Sequence, residues 1–170
     1  PKAADYLNNN PDGVSFSHYD IVMTELGIGK NMANSLRHWS ESSQLFDINN
    51  ITKNHVFSPL GREIFQFDPY LEQVDTNWLL HYLIVSNHKK NSLWFYLFNV
   101  FNEQIIIKDE FLFSASNWFK DRGVGINEHT LERDFQCCMN MYDSSKMSSE
   151  KASKSIVLSP LRELKLLKKV

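Results

Sequence analysis

The sequence predicts a mainly α-helical protein: a winged helix-turn-helix followed by an aromatic-rich helical domain. Three observations lead there. Apolar residues between 21 and 39 recur at helical spacing on both sides of a glycine turn. Two short β-type runs separated by a polar turn come next. From residue 74 to 142, apolar positions repeat every three or four residues in strings dense in Trp, Phe and Tyr. With 170 residues, 42% of them hydrophobic and 13% aromatic, the chain can bury a real core. Its formal net charge of −2 argues against a surface coated in cations, so any DNA affinity must come from local patches.

Residues 1–10 read as the end of a helix, and 8–13 (NNNPDG) as a loop. Ser17 is the expected N-cap of the next helix, with Asp20 three residues on in the manner of a capping box. In the helix-turn-helix, Val22 and Leu26 face inward, Gly27 supplies a positive φ, and Ile28 fills the space between the helices. Met32, Leu36 and Trp39 form the inward stripe of the second helix. The helical wheel then places Lys30, Asn31, Asn34, Arg37 and His38 outside, residue types that reach phosphates and base edges. Glu41 faces the same way and can pair with Arg37 at i, i+4. A plain helical hairpin carries the same pattern, so these residues alone weigh the two readings evenly.

The segment after Trp39 favours the winged module, which is expected over residues 12–67. Residues 44–48 and 55–57 form the strands of a small hairpin, and 49–54 its turn. Ser58 then caps a further helix with Pro59 at its first position, where the missing N–H costs nothing. Lys53 at the wing tip and Arg62 are the expected backbone contacts.

The helical domain is expected over 68–142. Asp68-Pro69 breaks the chain, Asp75 and Thr76 cap a helix containing Trp78, and apolar residues nearly all round that helix predict a central core element. Residues 93–101 read as a short buried helix or strand. Phe111, Ala115, Trp118 and Phe119 share one side of a helix over 108–122, and Gly123-Val124-Gly125 turns the chain. Asn127 or Glu128 opens the next helix, with Leu131, Phe135, Cys138 and Met139 inward and His129, Thr130, Glu132, Arg133 and Gln136 outward. This is a second helix-turn-helix-like pair. A plain helical hairpin is favoured here, because Glu132 and Asp134 flank Arg133.

Residues 143–170 are expected to form a basic linker and a truncated terminal element that begins at Ser159-Pro160-Leu161. The start at Pro1 and the Lys-rich end predict a piece of a longer protein. Adjacent Cys137 and Cys138 fit reduced thiols in a cytoplasmic protein. No signal peptide and no apolar run of membrane-spanning length occur, so no membrane partner is expected.

A metal-dependent nuclease needs two or more carboxylates converging on a cation. Glu72, Asp75 and His81, with Asp68 nearby, are the candidate catalytic residues, but capping and core packing are the favoured account of each of them. No PD-x-E-x-K pattern, His-x-His pair or P-loop occurs. A metal-free nick would instead need a Tyr, Ser or His, with Arg37 or Lys30 on the phosphate.

Four strings together, LGIGKNMANSLRHW, DPYLEQVDTNWLLHYLI, NEHTLERDFQCCMNMY and SPLRELKLL, resemble an uncharacterised bacterial family catalogued as a domain of unknown function. The resemblance runs from about residue 1 to the end. Members of that family are encoded in phage-defence islands beside a cysteine desulfurase and a sulfate-reductase-like protein, the neighbours of DNA phosphorothioation genes. The resemblance implies a component that binds double-stranded DNA for sulfur modification, with nicking of one strand as its candidate activity; the cofactor is left open, Mg²⁺ or Mn²⁺ being the candidates for a metal-dependent nick. Other sulfur-modification proteins and a second copy of the chain are the remaining expected partners. The alternatives are a non-enzymatic winged-helix transcriptional regulator and a protein-binding scaffold.

Overall fold

In the computed structural model, which describes residues 1–146 and 159–168, eight α-helices and one two-stranded antiparallel sheet form among those residues. The chain divides into two compact units, Pro1–Ile84 and Val85–Val170.

The first unit opens with α1 (Lys2–Asn8), which buries Ala3, Ala4 and Leu7, followed by α2 (Tyr19–Leu26) and α3 (Lys30–Ser42). Gly27 ends α2 at φ +60°, as the sequence predicts, and its N–H returns to the Met23 carbonyl. The cap at the other end differs from expectation. His18, not Ser17, occupies the N-cap of α2, and no side chain bonds there. The inward stripe of α3 also differs. Met32 is 61% exposed, whereas Ala33 and Ser40 are buried. Small residues take inward positions of α3, so a wheel built on hydrophobicity alone turns the helix by about one residue.

Strands β1 (Phe46–Ile48) and β2 (His55–Phe57) pair antiparallel, Phe46 opposite Phe57 and Ile48 opposite His55. A further rung comes from the loop before α2. The Val14 N–H donates to the His55 carbonyl (3.0 Å), and the His55 N–H donates to that of Val14 (2.7 Å). Phe46 meets the rings of Phe57 and Phe65 at centroid distances of 5.4 and 5.7 Å.

Helix α4 (Pro59–Phe67) begins as the sequence predicts. The Ser58 hydroxyl accepts from the Gly61 N–H (2.9 Å) and donates to the Gln44 carbonyl (2.9 Å), while the Ser58 N–H donates to the Leu45 carbonyl (3.1 Å). These bonds draw α4 so close to the chain leaving α3 that a Cβ on Gly61 would lie 1.9 Å from the Leu45 oxygen.

Helix α5 (Val74–Ser86) departs from two expectations. Asp75 and Thr76 lie inside its first turn; the residue that holds its start is Asp68, whose carboxylate accepts from the Glu72 and Gln73 N–H groups at 2.9 and 3.0 Å. Nor is α5 buried all round. Asn77, Leu80 and Ile84 are inside, but Val74, Trp78 and Tyr82, at i, i+4 and i+8, are 52%, 46% and 63% exposed.

The second unit contains α6 (Ser92–Asn99), α7 (Lys108–Asp121) and α8 (Glu128–Tyr142), so most of the 93–101 stretch is helix rather than strand. Asn127 caps α8 through the His129 N–H, and Phe111, Ala115 and Phe119 face Leu131, Phe135 and Cys138 in a shared core. Aromatic contacts knit it: Tyr96 to Phe111 at 5.5 Å, and Phe111 to Phe135 at 5.1 Å. The Pro160–Leu164 turn packs on α8, where Arg162 Nε donates to the Asn140 carbonyl (2.9 Å). Residues 147–158, most of the expected linker, lie outside the described residues, while Asp143 at its start is buried.

Candidate nucleic-acid interface

The residues expected to meet DNA sit on three elements of the first unit. Helix α3 starts at Gly29, whose extended backbone offers no capping side chain and whose Cα faces open space. The first-turn amides of α3 have no partner within the helix and no side-chain cap, and the helix opens with exposed Lys30 and Asn31. Asn34 and His38 continue that exposed face. Lys30 also borders an open cleft of about 730 Å³ with Ser17, His18 and Tyr19, and Asp20 on its wall offsets the charge.

Arg37 does not join them. Its guanidinium donates to the Tyr19 hydroxyl (3.3 Å) and to Glu41 Oε1 (3.2 Å), the i, i+4 pair that the spacing predicts. The Tyr19 hydrogen bond first, and Glu41 second, hold the Arg37 pKa above its ordinary value. The wheel puts Arg37 on the outer face; the structure turns it toward α2, because a hydroxyl and a carboxylate both lie within its reach.

Glu41 has a second partner that sequence reasoning misses. His55, almost wholly buried, brings Nε2 to 3.4 Å from Glu41 Oε1, and its Nδ1 lies 3.4 Å from the Phe16 amide nitrogen. An amide can only donate, so Nδ1 is the acceptor and Nε2 carries the hydrogen toward Glu41. The ring also lies 4.6 Å from that of Phe16. One chain of polar contacts thus runs from Tyr19 through Arg37, Glu41 and His55 to the loop before α2. It ties the end of α3 to the hairpin. Only the Arg37–Glu41 step is legible in the sequence; nothing in the string His55-Val56-Phe57 separates a buried histidine from an exposed one.

Lys53 and Arg62 lie at opposite ends of the hairpin. Lys53 is in its turn, with φ +60°. Arg62 sits 5.8 Å from the ring of Phe57, at the open end, roughly 13 Å away by strand rise.

The candidate catalytic residues do not assemble. Asp68 is buried and spent on the start of α5. Burial alone would raise its pKa, but the Glu72 and Gln73 amides and the Thr76 hydroxyl outweigh burial and hold it below the usual carboxylate range. Glu72 and Asp75 are both exposed, and His81 lies edge-on to Trp78 at 5.8 Å, its pKa lowered by burial. Among the described residues no group of three or more His, Cys, Asp or Glu is placed to hold a metal ion. Burial pushes the free thiols of Cys137 and Cys138 up, away from the thiolate form a nucleophile needs.

A family model described as "Protein of unknown function (DUF4007)" matches residues 1–170. The chain belongs to the DUF4007 family. No curated protein matches it. Among solved structures, the DUF4007 chain is similar to one described as a magnesium ion-bound SspB crystal structure, with a TM-score of 0.80 and 23% identity. The likeness covers 99% of this chain and 52% of that one, so the DUF4007 chain spans about half the length of the protein it matches. At that identity the likeness establishes the fold alone. No helix among the described residues is long and apolar enough to cross a membrane.

Proposed function

We propose that this DUF4007 chain is the DNA-binding part of a phosphorothioation-type defence system, and that its first unit works as a winged helix. The observation that carries the reading is the exposed face of α3, where Lys30, Asn31, Asn34 and His38 follow an uncapped helix start beside a hairpin that presents Lys53. The order helix, bridged Val14, helix, helix and hairpin supports it, as does the family resemblance read from the sequence. Lys30 and Lys53 would sit on phosphates, and Asn31, Asn34 and His38 would meet base edges in the major groove. Arg37 would hold α3 in place rather than touch DNA.

Strand nicking is the activity this reading assigns to the whole protein. The structurally similar SspB is described with magnesium bound. The described residues here do not bring Glu72, Asp75 and His81 together as a metal-ion centre. A second reading, a scaffold that binds protein, has one observation in its favour: the exposed Val74, Trp78 and Tyr82 stripe of α5.

Duplex binding measured across a salt series tests the proposal. Lys30→Ala should weaken binding and lower the salt slope by about one. Arg37→Ala should leave the slope unchanged and cost about 1–2 kcal/mol of stability, because it removes the Tyr19 hydrogen bond as well as the partner of a largely buried Glu41. Supercoiled plasmid incubated with Mg²⁺, with Mn²⁺ and with EDTA separates nicking from binding. Absence of salt-sensitive DNA binding by the unmodified chain refutes the proposal and leaves the scaffold.

A further inference from the structure

The hairpin turn presents an isoleucine where a polar residue would cost nothing. Ile51 is 92% exposed, the largest exposure of any large hydrophobic residue among those described. Single exposed apolar residues are ordinary on protein surfaces. This one is set apart by how firmly it is held. Asn49 Oδ1 accepts from the N–H groups of Ile51 (2.9 Å) and Thr52 (3.1 Å). The Asn49 N–H donates to the Asn54 carbonyl (2.8 Å), and the Lys53 N–H to that of Asn49 (2.9 Å). Asn54 in turn sends its amide to the Gly13 carbonyl (3.3 Å), pinning the turn to the loop before α2. The tip is thus a braced projection, with an aliphatic side chain at its end and the Lys53 cation two residues on.

We infer that Ile51 is an apolar wedge that enters the minor groove of duplex DNA and partly unstacks a base step, while Lys53 holds the adjoining phosphate. The inference rests on the DNA-binding reading above. The minor groove of undistorted duplex is about 6 Å wide, too narrow for a helix, but it admits one protruding side chain. Isoleucine is among the residues that part base steps, and flexible pyrimidine–purine steps yield most readily. Prior bracing suits that work, because a tip already ordered loses little freedom on insertion. Charge favours the same partner: the turn 49–54 carries Lys53 and no acid.

The test uses the full chain and a mixed-sequence duplex carrying 2-aminopurine at its TA steps, whose fluorescence rises on unstacking. The unmodified chain should bind and raise the signal. Ile51→Asn, which keeps every backbone bond of the turn, should bind roughly tenfold more weakly and give no rise at saturation. Ile51→Leu should retain the rise. Lys53→Ala should weaken binding and lower the salt slope, yet keep the rise at saturation. Binding without a rise, or an unchanged rise in Ile51→Asn, overturns the wedge and leaves the DNA-binding reading standing. No binding by the unmodified chain overturns both.

Discussion

Replacing Gly61 by alanine tests how α4 is seated. In an exposed helix that change stabilises by about 1 kcal/mol, because glycine is a poor helix former. Here the added methyl would stand 1.9 Å from the Leu45 carbonyl oxygen and 2.8 Å from its carbon, where ordinary contact begins near 3.4 Å. The obstacle is backbone on both sides, so no side chain can rotate away, and α4 must retreat by more than an ångström. Overpacking of this kind costs about 1–3 kcal/mol. Retreat carries the Ser58 cap with it and stretches the Ser58 bonds to the Gln44 and Leu45 carbonyls, each worth about 1 kcal/mol. Net of the propensity gain, the loss is about 2–4 kcal/mol. For a unit of this size that lowers Tm by roughly 10–30 °C. Thermal unfolding of the full chain, followed by circular dichroism, reads it out. Two neighbours calibrate the result. Gly29→Ala meets open space at φ −77° and should be near neutral, while Gly27→Ala also meets open space but at φ +60°, and should cost about 1 kcal/mol. A Gly61→Ala Tm at or above that of the parent would refute the seating of α4 against Leu45.

Two buried polar groups give further measurable outcomes. Asp68 has a depressed pKa in the fold, so its contribution is complete above its ordinary value of 3.8 and is lost as acid carries the pH down through its lower folded value. The stability gap between the parent and Asp68→Asn should therefore be wide at neutral pH and close in acid; a gap independent of pH would show that the charge does not hold the start of α5. His55→Ala removes a buried ring and strands the Phe16 N–H, for a loss of about 2–4 kcal/mol in denaturant titration. A loss under about 1 kcal/mol would mean that the ring does not brace the hairpin.

Most helices of this chain are legible because their signals are local. Ser58-Pro59, Asn127 and Gly27 each act within a turn of themselves, and each stands where the sequence places it. The departures share the opposite cause. Asp68 reaches forward to hold the start of α5, where Asp75-Thr76 looks sufficient in the string. Met32 is apolar and so suggests an inward position, but the packing of α3 in the unit buries Ala33 and Ser40 instead. Gly61 has the look of a tolerated helix residue, and only the fold sets Leu45 against it. The candidate interface is half legible. Lys30, Asn31, Asn34 and His38 emerge from helical phase, whereas the inward turn of Arg37 and the burial of His55 depend on Tyr19 and Phe16 across the unit.

The rung between Val14 and His55 also bears on the order in which the first unit assembles. It spans about forty residues, and closing a loop of that length costs about 3 kcal/mol of chain entropy. The α2–α3 pair and the β1–β2 hairpin close over much shorter distances. The same long loop is closed by the Phe16 N–H on His55, by the Asn54 amide on the Gly13 carbonyl, and by α1 packing on β2. The N-terminal segment is thus a clasp with several fastenings, which close together after the shorter-range helix pair and hairpin.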